Sequence, residues 1–294
     1  ESYAITTDCN GLIYITGTYQ GTTSIGTDIY TSIGWDAFVT QIDPSIPNFI
    51  WTFSTEGQAP YNDCYTEGVS ITTDCKGNIY FTGDAMGLVY FYGNNTTAVL
   101  DNLFCATLFV AKLDPNNNGS VIWMIGELDY CCDSFGTAIT CDCEGNIYIA
   151  GQFSSDGVTL GSYYLQSYGT DILVAKINEN GNWLWARNVG SNNAYCYGIV
   201  LDVQRNVYIT GRYFAIAMFG GQIPSLSAND NNILTAKLDN NGFWIWAVDA
   251  GFNGYNESRG ITLDYHGNIY TTGYITPCAN FGSIQLCPSS SNNE

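Results

Sequence analysis

Cysteines, carboxylates and clustered tyrosines are the residues whose types and spacing could do chemistry in this chain. There are 11 cysteines, many for a reducing compartment, so an oxidising one is expected. Cys9, Cys75 and Cys143 each directly follow an aspartate. Cys64, Cys131, Cys132 and Cys196 are expected to precede the first strand of their repeats, at the opposite end from those aspartates. Cys64 and Cys75 are 11 residues apart, as are Cys132 and Cys143. An extended segment of that length parts its ends well beyond the roughly 7 Å that disulfide Cα atoms tolerate. Pairing is therefore expected between cysteines at the same end of the strands. The candidates are Cys278 with Cys287, and Cys64, Cys131 or Cys132 with Cys105. The odd total leaves at least one thiol free or bonded to another chain.

Metal chemistry has two candidate places. Cys-Asp-Cys at 141–143 and Cys-Cys at 131–132 could hold zinc, but no Cys-x-x-Cys pair exists. The one histidine, His266, sits in a turn slot that other copies fill with Asn10, Lys76 or Glu144, so zinc-ligand spacing is absent. DPNNNG at 114–119 places Asp114, Asn116 and Asn118 at alternate positions before a glycine, like the start of a calcium loop. Its twelfth position is Ile125 instead of a bidentate glutamate. An ordinary hairpin turn accounts for the same residues. No cofactor is expected, with calcium there as the alternative.

Nucleophilic catalysis lacks its parts. His266 is the one imidazole, and neither a G-x-S-x-G elbow nor a P-loop occurs. A pair of acids could cleave a polysaccharide. The acids to examine are Glu56, Glu67, Glu127 and Asp129, which interrupt the repeat described below; the alternative is solvated loop charge. No catalytic residue is assigned, and no enzyme is expected. Tyr61, Tyr65, Tyr130, Tyr195, Tyr197 and Tyr255 are expected in loops entering the first strand of each repeat, and Trp35, in a loop between second and third strands, stands where later copies read Thr170 and Asn231. Such aromatics stack on sugars, anchor protein partners or cover the edge of a core.

These residues hang on a repeat. DCNGLIYITG (8–17) returns as DCKGNIYFTG, DCEGNIYIAG, DVQRNVYITG and DYHGNIYTTG, at spacings of 66, 68, 60 and 62 residues. DAFVTQID, LFVAKLD, DILVAKIN and NILTAKLD follow the first four copies, and then segments ending in Trp51, Trp123, Trp185 and Trp246. Each copy reads as four short strands divided by Asx-Gly turns, with no helical periodicity. The aspartate accepts turn amides, the glycine takes positive φ, the tyrosine packs between sheets, and the last glycine lets the chain leave the strand. Five equivalent hairpins, not five catalytic sites, explain the decamer.

The expected architecture is all-β: a single domain, 1–294, of antiparallel β-propeller blades or an open arc of them. Four blades are complete and a fifth is partial, with repeats at 1–66, 67–134, 135–194, 195–256 and 257–294. The run D-x-x-G-N-I-Y-x-T-G, then F-G-x-x-x-L, then D-I-x-V-A-K-x-D-x-N-G-x-x-x-W-A resembles the repeat named for seven-bladed β-propellers. That repeat occurs in secreted and surface proteins of bacteria and in giant-virus proteins. The resemblance implies a fold and, with it, a scaffold; it does not imply an activity. The fifth copy stops after its second strand, so a longer parent chain is expected, or an outer hairpin supplied by a neighbour.

Composition bounds the partners. There are 8 Lys+Arg against 27 Asp+Glu, a net charge of −19, which argues against nucleic acid and anionic membranes. No apolar run could span a bilayer. Sequons at Asn94, Asn95, Asn118 and Asn256 are glycosylation candidates. The expected role is a structural or interaction scaffold outside the cell or on a cell, fibre or virion surface. Its partners would be proteins, copies of itself joined through the incomplete blade, or glycans. A lectin and a polysaccharide-cleaving enzyme are the alternatives.

Overall fold

The structure is a computed structural model. It describes residues 1–58, 64–93, 97–127, 133–154, 157–167 and 169–287, with the backbone alone for Leu103. Strand is the only regular structure among them. Each decamer forms the turn and second strand of a four-stranded antiparallel unit. Unit 3 shows the plan, with Ser134–Cys141, Ile147–Phe153, Asp171–Ile177 and Trp183–Val189 paired in chain order. Unit 1 uses Ser2–Thr7, Ile13–Ile25, Asp28–Asp43 and Asn48–Ser54. Unit 2 uses Tyr65–Thr73, Ile79–Tyr92, Thr97–Asp114 and Ser120–Gly126. Unit 4 uses Ala194–Leu201, Val207–Ala217, Leu226–Leu238 and Trp244–Asn253. Unit 5 has Glu257–Leu263 and Ile269–Tyr274. Its Cys278–Phe281 strand pairs back onto the end of Trp244–Asn253. The chain is thus all-β and propeller-like.

First strands start at Tyr65, Ser134 and Ala194, so boundaries at 66/67, 134/135 and 194/195 fall one or two residues inside them. The first strand runs past its apolar stretch to pair beyond the decamer, as Tyr65 does with Met86. Trp35 lies within the strand Asp28–Asp43, not in a loop. The second and third strands of unit 1 continue together as a long hairpin to a turn at Ile25–Asp28.

The decamer is a small hydrogen-bonded network. Asp74 Oδ1 accepts the amides of Lys76 and Asn78, each at 2.9 Å. Its Oδ2 accepts Asn78 Nδ2 at 2.7 Å and the Tyr80 hydroxyl at 3.1 Å. Asp142, Asp202 and Asp264 repeat the set. The tyrosine ring then packs on the unit's tryptophan, as Tyr148 does on Trp185 at 6.3 Å. A lysine from the third strand lies over it, Lys176 at 4.9 Å. Unit 1 has Gln41 there, which donates to the Tyr14 hydroxyl at 2.7 Å.

The cores lie between consecutive units. Tyr14, Ala37 and Val39 meet Ile79, Phe81 and Phe109; Tyr80, Leu108 and Val110 meet Ile147, Ile149 and Leu173. Tyr148, Ala150 and Val174 meet Ile209, Leu234 and Ala236. Second and third strands are buried on both faces, which is why they read as continuous apolar runs instead of alternating. Each such Leu, Ile or Phe contributes about 1.5–3 kcal/mol on burial.

The decamer's last glycine has a sharper purpose than chain exit. A Cβ on Gly83 would sit 1.7 Å from the Glu67 carbonyl oxygen, and Gly17, Gly151, Gly211 and Gly273 face the equivalent oxygen at 1.9–2.0 Å. That close approach belongs to a β-bulge. In all five first strands the pairing register slips by one residue, leaving Tyr3, Val69, Thr137, Tyr197 and Arg259 as the extra residue.

Candidate functional site

A bulge re-aims a side chain without ending the sheet, and here it does so five times at one place. Beside each bulge lies one cross-strand pair: Glu67 with Asp84, Phe135 with Gln152, Tyr195 with Arg212 and Glu257 with Tyr274. Glu1 and Thr18 hold the same place in unit 1, the Thr18 amide donating to the Glu1 carbonyl at 2.9 Å. The first strands of successive units are neighbours. Thr73 Oγ1 donates to the Thr7 carbonyl at 2.9 Å, and Thr137 Oγ1 to the Cys196 carbonyl at 2.6 Å. The result is a row in which the repeat holds the backbone constant and varies the chemistry.

One end of the row is acidic. Asp84 is 6% exposed. Burial is the main cause that pushes its carboxyl up to about 7; Glu67 and Asp133 add to it, and a hydrogen bond from Tyr65 opposes it. Glu67 is raised as well, by burial and then by Glu1. Burial, then the Glu67 charge, pushes the Tyr3 phenol up to about 12.

The other end is a ladder of guanidinium groups and phenol rings. Arg212 lies 4.1 Å from the Tyr195 ring centroid and 4.9 Å from that of Tyr255. It pairs with the fully buried Glu257 at 3.2 Å and donates to Asn231 Oδ1 at 2.7 Å. Glu257 also pairs with Arg259, whose guanidinium covers Tyr197 at 4.4 Å. The Tyr255 hydroxyl donates to Glu257 at 3.0 Å, and the Tyr255 ring stacks on Tyr274. Burial and that bond push the Tyr255 phenol up to about 12. Arg259 is the accessible member, its side chain 56% exposed. The row is therefore polarised, negative at units 1–2 and cationic-aromatic at units 4–5.

The structure divides the seven aromatics. Tyr195, Tyr197 and Tyr255 meet in the ladder. Trp35 bridges in parallel to Tyr65 at the joint of units 1 and 2, as Thr170 does to Asn193 and Asn231 to Tyr255 at later joints. Tyr61 and Tyr130 lie outside the described residues. Asp84, Arg212 and Arg259 escaped sequence reasoning. The signal was present: the position after the decamer reads Thr18, Asp84, Gln152, Arg212 and Tyr274, directly after a glycine that never changes.

Other candidates are placed as follows. Asp114 Oδ1 accepts the Asn116 amide at 2.9 Å, and Asn118 closes the turn at φ 51°. Among the described residues no three His, Cys, Asp or Glu side chains converge as a metal group would. Glu56 is exposed and bonded by Gln58. Glu127 is buried beside a groove of about 570 Å³ lined by Leu100, Met124, Thr159 and Trp183. Asp129 lies outside the described residues.

Asn118 is exposed. Asn256 is fully buried; its amide donates to the Asn231 carbonyl and accepts the Thr276 amide. That leaves a glycan no room, so the folded chain withdraws Asn256 as a candidate. Asn94 and Asn95 lie outside the described residues.

Cys278 and Cys287 are disulfide-bonded, and so are Cys75 and Cys143, a pair the sequence reading did not name. Cys75 and Cys143 do sit at the same end of their strands. Cys64 is not bonded to Cys105: its thiol is free and lies against Gly87 and the Gln58 carbonyl. Cys196 lies within the first strand of unit 4, fully buried, instead of before it. Cys131 and Cys132, and any bond they make, lie outside the described residues.

Comparison with known proteins agrees with this organisation. Residues 246–281 match the family model described as beta-propeller repeat. The chain is similar to an uncharacterized WD repeat-containing protein of Acanthamoeba polyphaga mimivirus, 24% identical over 249 residues. That alignment covers 71% of this chain and 18% of the relative, so the chain spans under a fifth of the relative's length. A crystal structure of a protein of unknown function from Bacteroides caccae aligns at a TM-score of 0.42 and 10% identity, over 92% of this chain and 73% of that one. The match at 246–281 and the mimivirus relative support a β-propeller repeat family, the one the chain's motifs resemble.

Proposed function

We propose that the chain is a non-enzymatic interaction scaffold of propeller type, working outside the cell or on a cell or virion surface. Its units are blades, four complete and a fifth represented by its inner strands. Its partner is a protein segment that lies along the bulge row. One observation carries this reading: the same bulge recurs in all five first strands and sets side chains of four types, Tyr, Val, Thr and Arg, along one row. The polarity of the row suits a peptide with cations toward Glu67 and carbonyls or carboxylates toward Arg259. The disulfides among the described residues and the low Lys+Arg content accord with an oxidising, extracellular setting. The outer edge of Ile269–Tyr274 has no paired strand among the described residues and offers a second place for strand addition.

Wild type and the Tyr197→Ala/Arg259→Ala double variant, probed in parallel on a peptide array and a glycan array, test the reading. Peptide signals lost in the variant support it. Sugar signals lost in the variant would transfer the row to a lectin. Signals unchanged by the variant would dismiss the row.

The acid pair supports a second reading. A carboxyl held near neutrality beside a second carboxylate is a recurrent arrangement in glycoside hydrolysis. Polysaccharide cleavage by wild type that Glu67→Gln abolishes would establish it.

A further inference from the structure

Cys9, Cys75 and Cys143 occupy one position, the residue after the anchoring aspartate, in the turns of units 1, 2 and 3. The first strands of these units lie side by side. Thr73 Oγ1 of unit 2 donates to the Thr7 carbonyl of unit 1 at 2.9 Å, and the Ile139 amide of unit 3 donates to Ser70 Oγ of unit 2 at 3.3 Å. Equivalent turn positions in adjacent units therefore come within bonding distance. Cys75 and Cys143 show it, with Cα atoms 4.9 Å apart and a disulfide between them. Cys9 stands one joint earlier in the same relation to Cys75. It is an exposed free thiol, and its Sγ reaches to 3.9 Å from the Cys75 carbonyl oxygen. Cys75 thus has a cysteine on each side and can bond only one of them at a time.

We propose that Cys9, Cys75 and Cys143 form a thiol–disulfide exchange site in which Cys75 alternates between Cys143 and Cys9. Cys9 gives its proton to water, and the thiolate attacks Cys75 Sγ. The Cys75–Cys143 bond breaks as the Cys9–Cys75 bond forms. Cys143 leaves as a thiolate and takes up a proton. One disulfide is exchanged for another, so no outside oxidant or reductant takes part. The two forms differ in which joint is stapled, units 2–3 or units 1–2, and in which exposed turn carries the thiol.

Cys141, two residues from Cys143, is a poor competitor. Burial pushes it up to about 12, and its Sγ is held by Thr72 Oγ1 at 3.7 Å. Cys64 and Cys196 lie at the far ends of their first strands.

Trapping tests the site. The full chain is held at pH 8.5 without reductant, quenched with N-ethylmaleimide, digested unreduced and mapped by tandem mass spectrometry. The expected map contains both Cys75–Cys143 and Cys9–Cys75 peptides, with the maleimide on Cys9 in the first form and on Cys143 in the second. Exchange slows by about tenfold per pH unit as the thiolate is lost, so incubation at pH 5 preserves the starting form. Cys9→Ser is expected to hold the Cys75–Cys143 bond alone and to leave Cys143 unlabelled. Cys143→Ser, oxidised with glutathione disulfide, is expected to form Cys9–Cys75. Three results would overturn the proposal: Cys143 unlabelled in the wild type, Cys143 labelled equally in Cys9→Ser, or Cys9 and Cys75 both remaining thiols in Cys143→Ser. Substitutions at these turns leave the cores untouched, and a native fluorescence spectrum of each variant separates misfolding from failed exchange.

Discussion

Replacing Asp84 with Asn is expected to stabilise the protein at alkaline pH and to do nearly nothing at acid pH. Asp84 is 6% exposed, and burial followed by the charges of Glu67 and Asp133 lifts its carboxyl from 3.8 to about 7. In the unfolded chain the proton leaves near the ordinary value. Between pH 4 and pH 7 the native state therefore holds a proton that the unfolded state has lost, and stability falls as pH rises through that window. Near 1.36 kcal/mol per tenfold shift, the fall is about 4 kcal/mol. Above pH 7 it is complete. Asparagine has the same shape and carries no charge, and its Oδ1 still accepts the Tyr65 hydroxyl. Urea unfolding of wild type and Asp84→Asn at pH 3, below both values, and at pH 9 reads the effect as a difference of midpoints at equal m. Carboxylates other than Glu67 and Asp133 titrate alike in both proteins and cancel. An equal difference at the two pH values, or a variant less stable at pH 9, would refute the reasoning.

Arg212→Ala is expected to cost about 3–5 kcal/mol, because the fully buried Glu257 then keeps only the half-exposed Arg259 as counter-charge. Adding Glu257→Gln should restore most of the loss in the same urea assay, whereas a loss from ring packing alone would persist. Tyr148→Phe removes bonds to Asp142 and Asn240 and is expected to cost about 1–2 kcal/mol. Tyr270→Phe, at the exposed equivalent position, should leave thermal unfolding unchanged.

Much of the fold was legible in the sequence because its determinants are local. Asp, Gly, Asn and Tyr lie within seven residues of one another, and the turn they close needs nothing else. The apolar runs of the second and third strands report burial on both faces, as Ile172–Ile177 shows. The purpose of the last glycine was misread, because the carbonyl that excludes a Cβ there comes from another strand. The pairing of Asp84 with Glu67 and of Arg212 with Tyr195 was equally hidden. Each partner lies 17 residues away in sequence, and a one-residue bulge sets their register.

The sequence by itself determined the repeat, the four-stranded unit and the hydrogen-bonded turn, since these depend on short-range spacing and burial periodicity. Only the tertiary structure decided the polarised row, the burial of Asn256 and the Cys75–Cys143 bond. Those depend on which strands become neighbours between units. Side-by-side packing of first strands brings together residues that the chain holds 59 to 69 positions apart.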